Sequence, residues 1–363
     1  MANIFDYLND VAYDSFYDLP VNELDVLALT ELTYLAFDNV VTQEPKRLID
    51  LASQIPRGTT ILTNKNRLQL LDQLAQHKRF KNCKLSDFIN DIDPELQKQF
   101  AAMTYGISLD TYLLVFRGTD DSIIGWKEDF HMTYMKEIPA QKHALQYLEN
   151  FFAQHPNQKV ILAGHSKGGN LAVYAASQLD PLLQKNIVAV YTFDAPGLHK
   201  ELTETAGYQN MMERTKVFVP QGSIIGMMLE IPDKKIVVRS TALGGLAQHD
   251  TFSWQVEDKH FVQLDETNSD SQQVDTTFKE WVETVPDTEL QLYFDLFFGI
   301  ILDAGISSIN DLSSFKVIEH IHHLFVQAQS LTPEERETMG RLTQLLIDTR
   351  YQAWKNREYT KTN

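Results

Sequence analysis

One short segment limits what this chain can fold into more than any other. Lys159 to Ala163 is an apolar, β-branched run, and Gly168 to Leu179 has helical spacing. Between them stands Gly164-His165-Ser166-Lys167-Gly168-Gly169. This is G-x-S-x-G in a strand–turn–helix setting, the context in which a serine is lifted above a sheet edge. Gly164 and Gly168 leave room where a Cβ would strike the neighbouring backbone, and the opening helix turns its free N–H groups toward the serine. The alternative is a glycine-rich turn with an inert serine.

The segments around it fit the same architecture. Ala101–Ser108 and Thr111–Phe116 read as a hairpin about Leu109-Asp110, and Ala140–Gln154 as a helix. Ile187–Phe193, Lys216–Val219 and Lys235–Arg239 read as further strands. Strands alternating with helices predict an α/β fold on a mostly parallel central sheet. Residues 1–100 are expected to be a helical N-terminal part, with helices capped near Asn22 and over Asn66–Gln76 and Leu85–Ile92. Residues 100–265 are the expected core, and residues 275–363 a helical C-terminal extension broken near Pro286, Gly305 and Pro333.

Composition narrows the function classes. Lys and Arg number 32 against 49 Asp and Glu, a formal charge of −17, which disfavours nucleic acid and anionic lipid as partners. A 43% hydrophobic share supplies a core. Cys83 is the single cysteine, so no internal disulfide can form. Leu290–Ile306 is interrupted by Asp295 and Asp303, and no transmembrane segment is expected. With no basic and apolar leader at the N-terminus, the expected location is cytoplasmic.

Gly-His-Ser-Lys-Gly-Gly, with Val115-Phe116-Arg117-Gly118-Thr119 upstream, resembles the fungal-type class 3 lipases. Gly164 to Ala172, Asp194-Ala195-Pro196-Gly197, Val219 to Met227 and Gln248-His249-Asp250 resemble more closely a lipase-like family of unknown function from Gram-positive bacteria. The likeness spans roughly residues 3–260. It implies an α/β-hydrolase fold and ester hydrolysis, without naming the ester.

A serine hydroxyl needs a base and an acid that orients the base, in the chain order Ser, acid, His for hydrolases. His249 follows the last strand and is the first choice for the base; His260 is the reserve. His165 is expected to pack under the elbow. In class 3 lipases the acid follows a later strand, where this chain has Ser223. Asp194, at the carboxyl end of the strand after the elbow helix, is therefore the preferred acid, ahead of Glu230, Asp233 and Asp250. The lipase resemblance assigns one oxyanion-hole N–H to Thr119, and the fold assigns the other to Lys167. Arg117 is expected to pair with a carboxylate, with Asp129 as the candidate partner.

The expected activity is that of a serine carboxylester hydrolase acting on a small-molecule or lipid-like acyl ester through Ser166, His249 and Asp194, with no cofactor. A non-catalytic hydrolase-fold binding module, an acyltransferase and a thioesterase are the alternatives. Ile224 to Leu229 either lines an acyl pocket or belongs to the core. The C-terminal helices are expected to pack on the core, cover the site as a lid or meet a second copy in a homodimer. On a helix His320 and His323 share a face while His322 does not, and the three are read as part of a partly exposed helix and not a metal site.

Overall fold

The computed structural model describes residues 2–58, 60, 64–93, 95–120, 123–232, 234–306 and 327–361. Helices α1 (Ile4–Asp10) and α2 (Glu23–Leu32) each open on a capping box, at Asn3 and Asn22. Every residue of α2 is buried, so its polar side chains must be paired. Asp25 takes the Arg79 guanidinium through Nε at 2.8 Å, and Glu31 takes that of Arg67 through Nη2 at 2.8 Å. The short α3 (Leu48–Leu51) and α4 (Lys65–Gln76) complete this layer.

The main sheet begins antiparallel, with β1 (Lys46–Arg47), β2 (Lys84–Asp93), β3 (Lys98–Gly106) and β4 (Thr111–Phe116). Helices α5 (Ile123–His131) and α6 (Pro139–Gln154) lead to β5 (Lys159–His165), which pairs parallel with β4. Then α7 (Lys167–Gln178) and α8 (Pro181–Gln184) lead to β6 (Ile187–Phe193). After α9 (Lys200–Thr203) and α10 (Ala206–Met212) come β7 (Thr215–Pro220) and β8 (Lys235–Val238), continuing the parallel half. Helix α11 (Gly245–Gln248) precedes the small pair β9 (Val256–Glu257) and β10 (His260–Phe261). Strand β11 (Gln263–Leu264) closes the main sheet antiparallel to β8. The α/β-hydrolase expectation holds, with parallel pairing concentrated in the half that carries the elbow.

Strands β4 to β8 lie in the sheet in their chain order. Right-handed crossovers that always step the same way place their helices on one face. Leu114, Phe116, Val160 and Leu162 accordingly pack with α6 and α7. Leu113, Val115, Ile161 and Ala163 point the other way, and α1, α2 and α4 cover that second face. The N-terminal helices are thus needed to close the core.

Leu85–Ile92 is strand β2, not the expected helix. Leu85, Phe88, Ile89 and Ile92 have helical spacing, but a register shift between Ser86 and Ile89, with Asp87 at φ 55°, breaks the strand alternation and produces the same pattern. The expected breaks near Pro286 and Gly305 bound α12 (Ser269–Thr284) and α13 (Asp287–Asp303), and Pro333 opens the last helix, Pro333–Lys361.

Candidate active site

Ser166 sits between β5 and α7 with φ 57° and ψ −137°, a backbone state that costs a non-glycine residue on the order of 1–3 kcal/mol. The turn is held on both sides: Ser166 N–H donates to Phe193 O at 3.0 Å, and Gly169 N–H donates to Ser166 O at 2.9 Å. A Cβ on Gly164 would lie 2.1 Å from the Gly168 carbonyl carbon, and one on Gly168 would lie 2.0 Å from Phe116 O. No side chain larger than hydrogen fits either place. Ser166 itself is half-buried.

Asp194 follows β6, also with positive φ, at 46°. Its carboxylate is fully buried and takes three donors. His249 Nδ1 lies 2.6 Å from Oδ2, Ser223 Oγ–H donates to Oδ1 at 2.5 Å, and Gly226 N–H donates to Oδ1 at 3.2 Å. A carboxylate so supplied is the acceptor for the imidazole, so in the neutral ring Nδ1 carries the hydrogen and Nε2 the lone pair. His249 ends α11, and its loop is fixed by Gln248. That amide accepts Gly222 N–H at 2.8 Å and donates to Ala242 O at 3.1 Å. Ser223 thus holds the Asp194 carboxylate. Its own carbonyl accepts the hydroxyl of Ser271 from the first turn of α12.

The competing candidates lie elsewhere. His260 is exposed and pairs with Glu23 at 2.7 Å. Asp250 accepts Phe252 N–H at 3.2 Å and starts the next turn, and Glu230 bridges its backbone to Leu198. Asp233, His320, His322 and His323 lie outside the described residues. Among the described residues, no hydrogen bond joins the Ser166 hydroxyl to His249. The two are linked through His165, whose ring lies 4.4 Å from the His249 ring, centroid to centroid. His165 is buried, with its ring against those of Tyr34 and His249.

The loop after β4 presses against the elbow: a Cβ on Gly118 would lie 3.0 Å from Ser166 Cβ. Thr119 follows it, and Lys167 N–H is among the first N–H groups of α7, which have no partner within their own helix. Two adjacent carboxylates of α5 tie these residues down. Thr119 Oγ1–H donates to Asp129 Oδ2 at 2.5 Å, and the fully buried Lys167 Nζ donates to Glu128 Oε2 at 2.8 Å and to Gln99 O at 3.0 Å. Burial pushes Asp129 up to about 6, against the nearby Lys167 ammonium. Arg117 donates instead to Asn90 Oδ1 at 2.9 Å, so the expected Arg117–Asp129 pair does not form. Asp129 is already taken by Thr119, two residues closer to the serine in the chain. No local pattern in the sequence marks the buried Lys167–Glu128 pair, because a lysine in a strand-to-helix turn reads as solvent-exposed.

The C-terminal helices reach the site through α5. Ile123 is buried with Trp281, Phe294 and Phe298, and Phe130 packs on Phe294 at 4.8 Å between ring centroids. Met227 is core, while Leu229 lines a cleft of about 520 Å3 together with Leu198, Phe278 and Val282. Among the described residues, no helix is long and apolar enough to cross a membrane.

The solved structures that the chain resembles include the mono- and diacylglycerol lipase from Aspergillus oryzae, at 16% identity over 68% of this chain and 87% of that one, with a TM-score of 0.41. A mutant form of MDLA from Penicillium cyclopium matches at 14% identity over 68% and 87%, also with a TM-score of 0.41. The Rhizomucor miehei lipase in its propeptide complex matches at 15% over 64% and 78%, with a TM-score of 0.34. No curated protein matches the chain. A family model described as Mbeg1-like matches residues 74–299, more than half of the sequence. The chain belongs to the Mbeg1-like family.

Proposed function

We propose that this protein is a serine hydrolase that cleaves a carboxylic ester through Ser166, His249 and Asp194. The observation that carries the reading is the buried Asp194 carboxylate 2.6 Å from His249 Nδ1, beside a serine in the strained elbow conformation. That contact leaves Nε2 as the base. In the reaction Nε2 takes the Ser166 proton as Oγ attacks the ester carbonyl, and Asp194 stabilises the resulting imidazolium. The N–H groups of Thr119 and Lys167 receive the oxyanion, a contribution of about 100-fold or more in rate for each donor. The imidazolium then protonates the leaving alcohol, and water activated by His249 releases the acid from the acyl-enzyme. In unliganded hydrolases the serine–histidine contact is often long and tightens on substrate.

The missing Ser166–His249 hydrogen bond favours the second reading, a hydrolase fold that binds without catalysis. A panel of esters of varied acyl length, assayed against the protein and Ser166→Ala, decides between them. Turnover of at least one ester, lost in Ser166→Ala, supports hydrolysis. Equal rates for both proteins across the panel support the binding module. Turnover that rises with added alcohol, with ester as the product, marks an acyltransferase.

A further inference from the structure

A single polar chain runs from the N-terminal helices into the site. Tyr34 lies two residues past the end of α2 and is 3% exposed. Its hydroxyl accepts Gly118 N–H at 3.1 Å and lies 3.0 Å from His165 Nδ1. His165 Nε2 in turn lies 3.0 Å from the backbone oxygen of His249. A carbonyl oxygen only accepts, so His165 Nε2 carries the hydrogen and Nδ1 the lone pair. Tyr34 must then donate to Nδ1 while it accepts from Gly118. Burial and the neighbouring His249 bring His165 down to about 4, which keeps the ring neutral and the bond directions fixed.

The phenol is itself clamped. The Arg67 guanidinium lies 4.0 Å over its ring, and Arg67 Nε donates to Glu31 Oε2 at 3.0 Å. The other Glu31 oxygen accepts the hydroxyl of Thr251, two residues beyond His249, at 2.7 Å. Glu31, Tyr34 and Arg67 all precede residue 74, where the family match begins.

We infer that Tyr34 is a positioning residue for catalysis: its one hydroxyl sets both the Gly118–Thr119 loop and the His249 backbone relative to Ser166. The N-terminal layer is then a working part of the site as well as the cover of one sheet face. This rests on the hydrolase reading above. Tyr34 touches no reacting atom; it fixes two groups whose displacement by about 1 Å would cost on the order of 100-fold in rate.

The test is the rate of inactivation by a fluorophosphonate, resolved into the maximal rate and the half-saturating concentration. It is measured with the unaltered protein, Tyr34→Phe, His165→Phe and the double variant, each beside its melting curve. Tyr34→Phe keeps the ring beneath Arg67, and His165→Phe interrupts the same chain at its other member should the first variant not fold. The expected result is a maximal rate lower by about tenfold or more in each single variant, an unchanged half-saturating concentration, and no further loss in the double variant, because the two act as one unit. A folded single variant labelled at the unaltered protein's rate overturns the inference and leaves the hydrolase reading standing. No labelling of the unaltered protein removes both.

Discussion

The Ser223 hydroxyl donates to Asp194 Oδ1 at 2.5 Å, while His249 Nδ1 faces the other oxygen of the same carboxylate. Position 223 is where the lipase pattern expects the acid. In the proposed mechanism the acid stands one strand earlier, at Asp194, and the Ser223 hydroxyl bonds to it. Asp194→Asn is expected to lower kcat by about 10³–10⁴, because an amide can present its N–H to the ring and favour the wrong tautomer. Ser223→Ala removes one bond to a charged group and is expected to lower kcat by about tenfold with KM unchanged. Steady-state kinetics on one ester checks both.

Lys167 and Glu128 form a fully buried ion pair beneath the elbow. Lys167→Met leaves Glu128 without its charge partner and is expected to destabilise the fold by about 3–5 kcal/mol. Glu128→Gln in the same chain should return most of that loss. Urea unfolding of the two single variants and the double variant measures the coupling.

Asp129 shows the opposite balance. Its folded carboxyl is raised to about 6 from 3.8, so between those values the folded chain binds more protons than the unfolded one. That contribution therefore weakens as pH rises from about 4 to about 6 and stays unfavourable at neutral pH. Asp129→Asn keeps an acceptor for Thr119 and is expected to gain about 1–3 kcal/mol at pH 7, with no gain at pH 4. Melting temperatures at the two pH values test this.

His165 and His131 are both held down to about 4 by burial, with the nearby His249 acting further on His165 and Lys127 on His131. Between about 4 and 6.5 the unfolded chain binds more protons, so stability falls as pH drops through that range, by up to about 3 kcal/mol for each ring. His165→Phe should lose less stability than the unaltered protein between pH 6.5 and pH 4.5. Denaturant midpoints across that interval measure the difference.

The parts of this molecule legible in the sequence are those set by local patterns. The elbow, the strands from Ala101 to Val238, the Asn22 cap and the breaks at Pro286 and Pro333 each follow from a few neighbouring residues. The helix expected over Leu85–Ile92 failed because a bulge at Asp87 changes which residues share a face, and a bulge leaves helical spacing behind. At the candidate site, Asp194 and His249, favoured by chain order and by the carboxyl-end rim of the sheet, lie within hydrogen-bond reach of each other, while among the described residues no hydrogen bond joins the Ser166 hydroxyl to His249. What stayed hidden was contact between residues of different elements: Asp129 with Thr119 rather than with Arg117, Lys167 with Glu128, and Tyr34 between Gly118 and His165. Each depends on how α5 or α2 docks, and no spacing rule carries that information.

Peptide mass spectrometry of the protein after exposure to a fluorophosphonate tests the central claim most directly. The account predicts one stoichiometric adduct, on Ser166, absent from Ser166→Ala and strongly slowed in Asp194→Asn. A folded protein that stays unmodified, or that carries its adduct on another side chain, contradicts it.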